Sequence, residues 1–204
     1  MAVQLRPRYG LWGLRQAMAR LQGCEMANKF DSTALGSMEQ LLGGLETDDP
    51  IGSVLRLHLQ AERLIEIFLK GTITPDMAEV FNVPQQFNHK VAIATALGLP
   101  KEISLAAQEL NSLRNKIAHR AGKIIEAGDV DKLLAKAESV RVALFPKEAP
   151  IADCSIQVHV LGGEKIKYGT KGPSWDFKIV VGMLVGMIFR FLVGSQATAE
   201  SPEA

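Results

Sequence analysis

Leu57-His58-Leu59-Gln60-Ala61-Glu62-Arg63-Leu64-Ile65-Glu66-Ile67-Phe68 decides the fold. Leu57, Ala61, Leu64, Ile65 and Phe68 recur at steps that gather on one face of a helix with 3.6 residues per turn. The spacing predicts a long amphipathic helix over 52–70, closed by Gly71. Reading onward, Thr74-Pro75 supplies an N-cap and a first-turn proline for a short helix through Phe81. A third helix is expected from Gln85 to Leu97, stopped by Gly98 with Pro100 beyond it. A fourth runs from Glu102 to His119 on the apolar stripe Leu105, Leu110, Leu113 and Ile117, with Gly122 past its end. Asp129 opens a fifth that lasts to Leu144, before Pro146. Helices joined by short loops pack as an up-and-down bundle.

Reading backward, residues 1–49 form a leader. Leu35, Met38, Leu41 and Leu42 have helical spacing, with a cap near Asp31 or Ser32. Gly43-Gly44 and Asp48-Asp49-Pro50 close it. Beyond the bundle, residues 146–204 change character. Ser155 to Val160 alternates polar and apolar, Leu161-Gly162-Gly163-Glu164 interrupts, and Lys165 to Tyr168 alternates again, which is a hairpin pattern. Gly169 to Pro173 is a loop. Asp176 to Val193 begins with β-branched residues, but its length and methionines favour a helix, and Gln196 to Ala204 reads as a disordered end. The expected fold class is therefore mainly α: a helical bundle over 50–145, a helical leader over 1–49, and a tail over 146–204 holding a β-hairpin and an apolar segment.

Composition sets the outer limits. The chain has 204 residues, 47% hydrophobic and 22% charged, which suits one globular domain with extensions and excludes a disordered or collagen-like chain. Lys plus Arg number 23 against 22 Asp plus Glu, a net charge of +1 that announces no nucleic-acid binder in bulk. The leader carries five basic and six acidic residues, the middle twelve and ten, the tail six and six, so no region is polarised. Cys24 and Cys154 stand far apart in no ligand spacing and read as free thiols of a reducing, cytoplasmic compartment. His58, His89, His119 and His159 are scattered with no zinc pattern, and Gly162-Gly163 lacks the Gly-Lys-Ser/Thr that a phosphate loop needs. No metal and no cofactor is expected. The N-terminus has Arg6 and Arg8 but no apolar core with a cleavage site, so it does not read as a secretory signal.

Ile179 to Phe189 is eleven uncharged residues followed by Arg190. A span needs about 20 apolar residues, and shorter runs are more often core helices. Gly182 and Gly186 form a G-x-x-x-G that pairs helices in lipid and permits close packing in water. Residues 177–193 are accordingly expected as a buried or subunit-interface segment, with membrane contact the lesser alternative.

Chemistry concentrates in Leu113-Arg114-Asn115-Lys116-Ile117-Ala118-His119. Arginine offers a permanent planar fork suited to phosphate, and histidine a proton acceptor near neutral pH. Together they suffice for metal-free phosphodiester chemistry, one stabilising charge and the other moving the proton. Asn115 and His119 share a helical face, whereas Arg114 and His119 differ by about 140° around an ideal helix. Either the last turn is distorted or two copies of the chain complete one site. The plainer reading is that basic residues in a last turn simply gain from the helix dipole.

Arg114-Asn115-x-x-x-His119 resembles the R-N-x-x-x-H motif of the HEPN superfamily (higher eukaryotes and prokaryotes nucleotide-binding domain). The helix bearing His58 and Glu62 is similar to that family's polar-acidic first core helix. Phe87-Asn88-His89-Lys90 through Ala96-Leu97-Gly98-Leu99 resembles the intervening helix of uncharacterised bacterial HEPN-like proteins and of the mannitol operon repressor group. The resemblance covers roughly residues 50–145. It implies a homodimeric, metal-independent endoribonuclease of a bacterial toxin or phage-defence system, with RNA as substrate and an antitoxin or other regulatory partner. Arg114 would contact the scissile phosphate, His119 would move the proton, Asn115 would orient the motif, and Glu62 would be the acidic residue of the earlier helix. The alternative within the resemblance is a non-catalytic regulatory or interaction module.

The remaining polar residues have humbler readings. His58 and Glu62, four apart, are either part of the cleft facing His119 or a helix-stabilising pair. His89 and His159 are expected at the surface, and Trp12 and Trp175 as packing residues.

Overall fold

The computed structural model describes residues 43–45, 47, 49–118, 125–158 and 164–199. The protein is mainly helical, with a small antiparallel hairpin near the C-terminus followed by a long apolar helix. The leader helix expected near Asp31, Trp12, Cys24, His119, His159 and the hairpin turn at Gly162-Gly163 lie outside the described residues.

Helix α1 (Pro50–Thr72) starts where the sequence supplies both an N-cap and a fixed φ. The Asp49 carboxylate accepts from the Ile51 N–H at 3.0 Å and Pro50 occupies the first turn. Its buried stripe includes Leu57, Ala61, Leu64, Ile65 and Leu69, while Phe68, expected in that stripe, is only partly buried. The short helix is a single turn, α2 (Pro75–Ala78), rather than continuing to Phe81. Helix α3 (Phe87–Ala96) opens two residues later than its spacing suggested. It ends as expected at Gly98, whose φ of 102° suits glycine, and the Leu99 N–H reaches back to Ala94 O at 2.8 Å.

Helix α4 (Lys101–Ala118) and helix α5 (Ala127–Leu144) pack side by side. Lys116 links them, donating to Asp129 at 2.6 Å and to Glu126 at 3.4 Å. Leu105 departs from its expected core position and is 37% exposed. The neighbouring Ser104 is buried instead, because its hydroxyl is satisfied by Thr95 Oγ1 at 2.7 Å and Pro100 O at 3.2 Å.

After a short 3₁₀ turn (Ile151–Asp153), strands β1 (Ser155–Val158) and β2 (Glu164–Lys167) pair antiparallel. Ile156 stands opposite Ile166 and both are buried, while Gln157, Lys165 and Lys167 face solvent. The alternation set the register here. Tyr168, read as strand, lies in the turn that follows.

Helix α6 (Pro173–Ala199) completes the bundle. It packs against α1 and α5, α5 packs against α4, and α4 against α1, so these four helices close a ring while α3 flanks α1 and α4. The core therefore runs from Leu45 through Leu192 without a break at residue 145. Residues 173–194 are long and apolar enough to cross a membrane by length and composition; their most apolar 18-residue window has mean hydropathy 2.0 and is 72% buried inside the protein. Its two cations have protein partners. Lys178 Nζ donates to Thr47 O at 2.6 Å and lies 3.7 Å above the Trp175 ring, and Arg190 pairs with Glu148 while resting 4.5 Å from the Phe145 ring. Gly182 has its own use: a Cβ there would press on Leu45 at 3.3 Å.

Candidate functional site

A polar cleft of about 400 Å³ opens where α1, α3 and α4 meet. Glu62 and His58 reach it from α1, Asn111, Arg114 and Asn115 from the last two turns of α4, and Gln85 to Asn88 from the start of α3. The α4 string divides by helical geometry. Leu113 and Ile117 point into the core, Lys116 turns to α5, and Asn111, Arg114 and Asn115 share the face toward the cleft. Of the residues the sequence singled out, Glu62, Arg114 and Asn115 thus meet in one place; His119 lies outside the described residues.

Arg114 is half-buried, and its Nη1 donates to the Asn115 Oδ1 at 2.9 Å. That bond uses one of five guanidinium donors. Glu62 is tied more tightly. Lys90, on α3 and buried, donates to Glu62 Oε1 at 2.6 Å and also to Glu66. Burial alone would pull the Lys90 ammonium down, but the hydrogen bonds and charges of the two carboxylates outweigh it and hold its pKa above the usual lysine value.

His58 is neither a solvated pair nor an open cleft base. It is 3% exposed, lies tilted against Phe87 with ring centroids 4.5 Å apart, and its Nε2 shares a hydrogen bond with the Asn111 side-chain amide at 3.0 Å. Asn111 in turn donates through Nδ2 to Asn88 Oδ1 at 3.0 Å. The other imidazole nitrogen stands 3.8 Å from Glu62 Oε2, beyond a hydrogen bond. Burial pushes the His58 pKa below its ordinary value of 6.5, aided by the Arg114 and Lys90 charges and opposed by Glu62 and Asn111. The imidazole is therefore neutral at pH 7.

A stability consequence follows from that shift. A base whose folded pKa is lowered binds its proton more readily when unfolded, so its contribution is complete above 6.5 and is lost as pH falls toward the folded value. Chemical denaturation between pH 7.5 and pH 5 should show the wild type losing stability more steeply than His58→Gln, which cannot titrate. Parallel slopes would mean that His58 is protonated as easily in the fold as outside it.

Sequence reasoning missed Asn111, Asn88, Phe87, Gln85 and Gln86. A signal existed for Asn111: it sits one turn before Arg114 and Asn115 and beside Leu110, a polar residue at the edge of an apolar stripe. The α3 residues gave none, because their approach depends on how the bundle closes. Their placement matters, since the first N–H groups of a helix have no intrahelical partner and favour an anion, and Gln86 at the N-cap makes no side-chain capping bond. His89 is exposed as expected, and Trp175 packs against the core. Among the described residues no three His, Cys, Asp or Glu side chains gather as a metal site.

No protein-family model, curated protein or solved structure matches this chain.

Proposed function

We propose that the protein is a metal-independent endoribonuclease of the HEPN type, serving a bacterial toxin or phage-defence system as a cytoplasmic homodimer. The observation that carries this reading is the meeting of Arg114, Asn115 and Glu62 in one cleft, beside the opening turn of α3. In this reading Arg114 holds the non-bridging oxygens of the scissile phosphate, and the helix N-terminus adds its partial positive charge. Asn115 keeps the guanidinium aimed by accepting from its Nη1. His119 removes the proton from the ribose 2′-hydroxyl, whose oxygen attacks phosphorus in line. The 5′-oxygen of the next nucleotide leaves and takes up a proton. The products are a 2′,3′-cyclic phosphate and a 5′-hydroxyl, with no redox change and no water consumed. Glu62, held by Lys90, gives the cleft its fixed negative pole and disfavours a ligand bound in the reverse sense. His119 of one protomer working with Arg114 of the other accounts for their angular separation along one helix.

The test is cleavage of total RNA and a defined tRNA in excess EDTA, with end-group analysis. Wild type should cut and leave cyclic phosphate ends. Arg114→Ala, which removes the proposed charge stabiliser, should lose about 10²–10³-fold in rate, and His119→Ala at least as much. Activity surviving His119→Ala would remove the proposed base. Silence from all three proteins would favour the non-catalytic regulatory module, which predicts no growth inhibition on expression and no relief by Arg114→Ala.

A further inference from the structure

His58 lines the cleft beside Arg114 and Glu62, and the cleavage steps do not use it. A neutral imidazole donates through one nitrogen, and either tautomer can serve; an imidazolium donates through both. An acceptor faces each ring nitrogen. The Asn111 side-chain amide, 3.0 Å from Nε2, opens the polar relay to Asn88, and Glu62 Oε2 stands 3.8 Å from Nδ1. Burial keeps the ring neutral, helped by two cations, Lys90 from α3 and Arg114 from α4. Lys90 is already matched by Glu62 and Glu66, whereas the Arg114 bond goes to the neutral Asn115 amide. On α6, which also packs on α1, Asp176, Lys178 and Arg190 are engaged with Gly169, Thr47 and Glu148.

The fixed charges lining the cleft cancel, one guanidinium against one carboxylate. An anion on Arg114 makes that lining negative and offsets the cation that most opposes a charged ring, while Glu62 still faces the ring. A proton on the imidazole then restores the balance. We propose that the cleft binds a phosphodiester anion together with a proton, His58 becoming an imidazolium held between Glu62 and Asn111. Affinity for RNA rises as the surroundings acidify, and by reciprocity the bound anion makes His58 easier to protonate by the same factor. The inference concerns regulation of the ribonuclease site and rests on that reading for the anchor at Arg114.

Calorimetry and NMR of the full-length protein test it, in a His119→Ala background so that the proposed base adds no titration of its own. The probe is 2′-deoxyuridine joined through its 3′-phosphodiester to uridine. It carries one negative charge from pH 5 to pH 8 and has no 2′-hydroxyl to attack; its neutral methylphosphonate analogue is the control. The His58 resonances are those missing from His58→Gln. The protonated form should bind the probe about fivefold tighter or more, so saturating probe should raise the His58 titration midpoint by the logarithm of that factor. The methylphosphonate should leave the midpoint in place. Binding should tighten as the pH falls from 8, and His58→Gln should lose that tightening. Arg114→Ala should raise the midpoint with no probe present, because it removes one of the opposing cations. A melting curve of each variant at each pH verifies the fold. A midpoint unmoved by saturating probe, or tightening that survives His58→Gln, overturns the proton linkage and leaves the ribonuclease reading in place. No binding of the probe at any pH overturns both.

Discussion

A chain ending at Ser174 should not fold. Helix α6 begins at Pro173, so this cut removes almost all of it. Ten apolar side chains between Phe177 and Leu192 are buried, six of them with no exposed surface. Full burial of such a side chain contributes about 1.5–3 kcal/mol, so their sum, about 15–30 kcal/mol, exceeds the roughly 5–15 kcal/mol by which a whole domain is stable. The loss falls on the partners as well. Phe68 packs 6.4 Å from Phe191, and Leu45 fills the notch at Gly182, so α1 and the segment before it would present bare apolar surface. Circular dichroism and thermal melting of the truncated chain should show reduced helix and no cooperative transition. A cooperative melt would mean that the ring of α1, α4, α5 and α6 is not one folding unit. Loss of membrane association on removing α6 would likewise carry no information, since the truncation removes the fold with the helix.

The apolar run of α6 was visible in the sequence, and its partners were not. Periodicity places a stripe on a helix and leaves open what covers it; the packing of α6 on α1 joins elements more than a hundred residues apart, as does the bond from Lys178 to Thr47 just before α1. Helix ends read well where chemistry is local, as at Asp49-Pro50 and Gly98. Core positions read poorly where tertiary contacts decide, as at Leu105, which is exposed while its neighbour Ser104 is buried with its hydroxyl bonded to Thr95. The site divides in the same way. Arg114 and Asn115 were legible because one helix carries both, and Glu62 because a resemblance named its helix. The relay through Asn111 and Asn88 was illegible, because a buried polar residue declares itself only when its partner is known, and His58 lies 53 residues before Asn111. Lys90 hid for the same reason. A lysine in sequence reads as surface, and this one is 6% exposed.

Lys90→Met should be the most damaging single substitution around the cleft. Glu62 and Glu66 lie one turn apart on α1, and the Lys90 ammonium sits between them, 2.6 Å from Glu62 and paired with Glu66 as well. Methionine keeps most of the stem's volume and removes the charge, so the loss is electrostatic rather than a cavity. Two carboxylates then face one another with their common partner gone. Removing one member of a fully buried pair costs about 3–5 kcal/mol, and because the Glu66 side chain is 32% exposed the lower figure applies, about 3 kcal/mol. In a chain of this size that lowers the melting temperature by about 6–12 °C. The deficit should hold across neutral pH. Because the folded Lys90 pKa is raised, the wild-type contribution is fully present below the ordinary value of 10.5 and is lost only as pH rises through the folded one. The triple change Glu62→Gln, Glu66→Gln and Lys90→Met removes the uncompensated charges together and should recover most of the lost stability. A Lys90→Met protein that melts with the wild type would show the two carboxylates solvated well enough to need no ammonium. The fixed orientation of Glu62 in the cleft would then need another source.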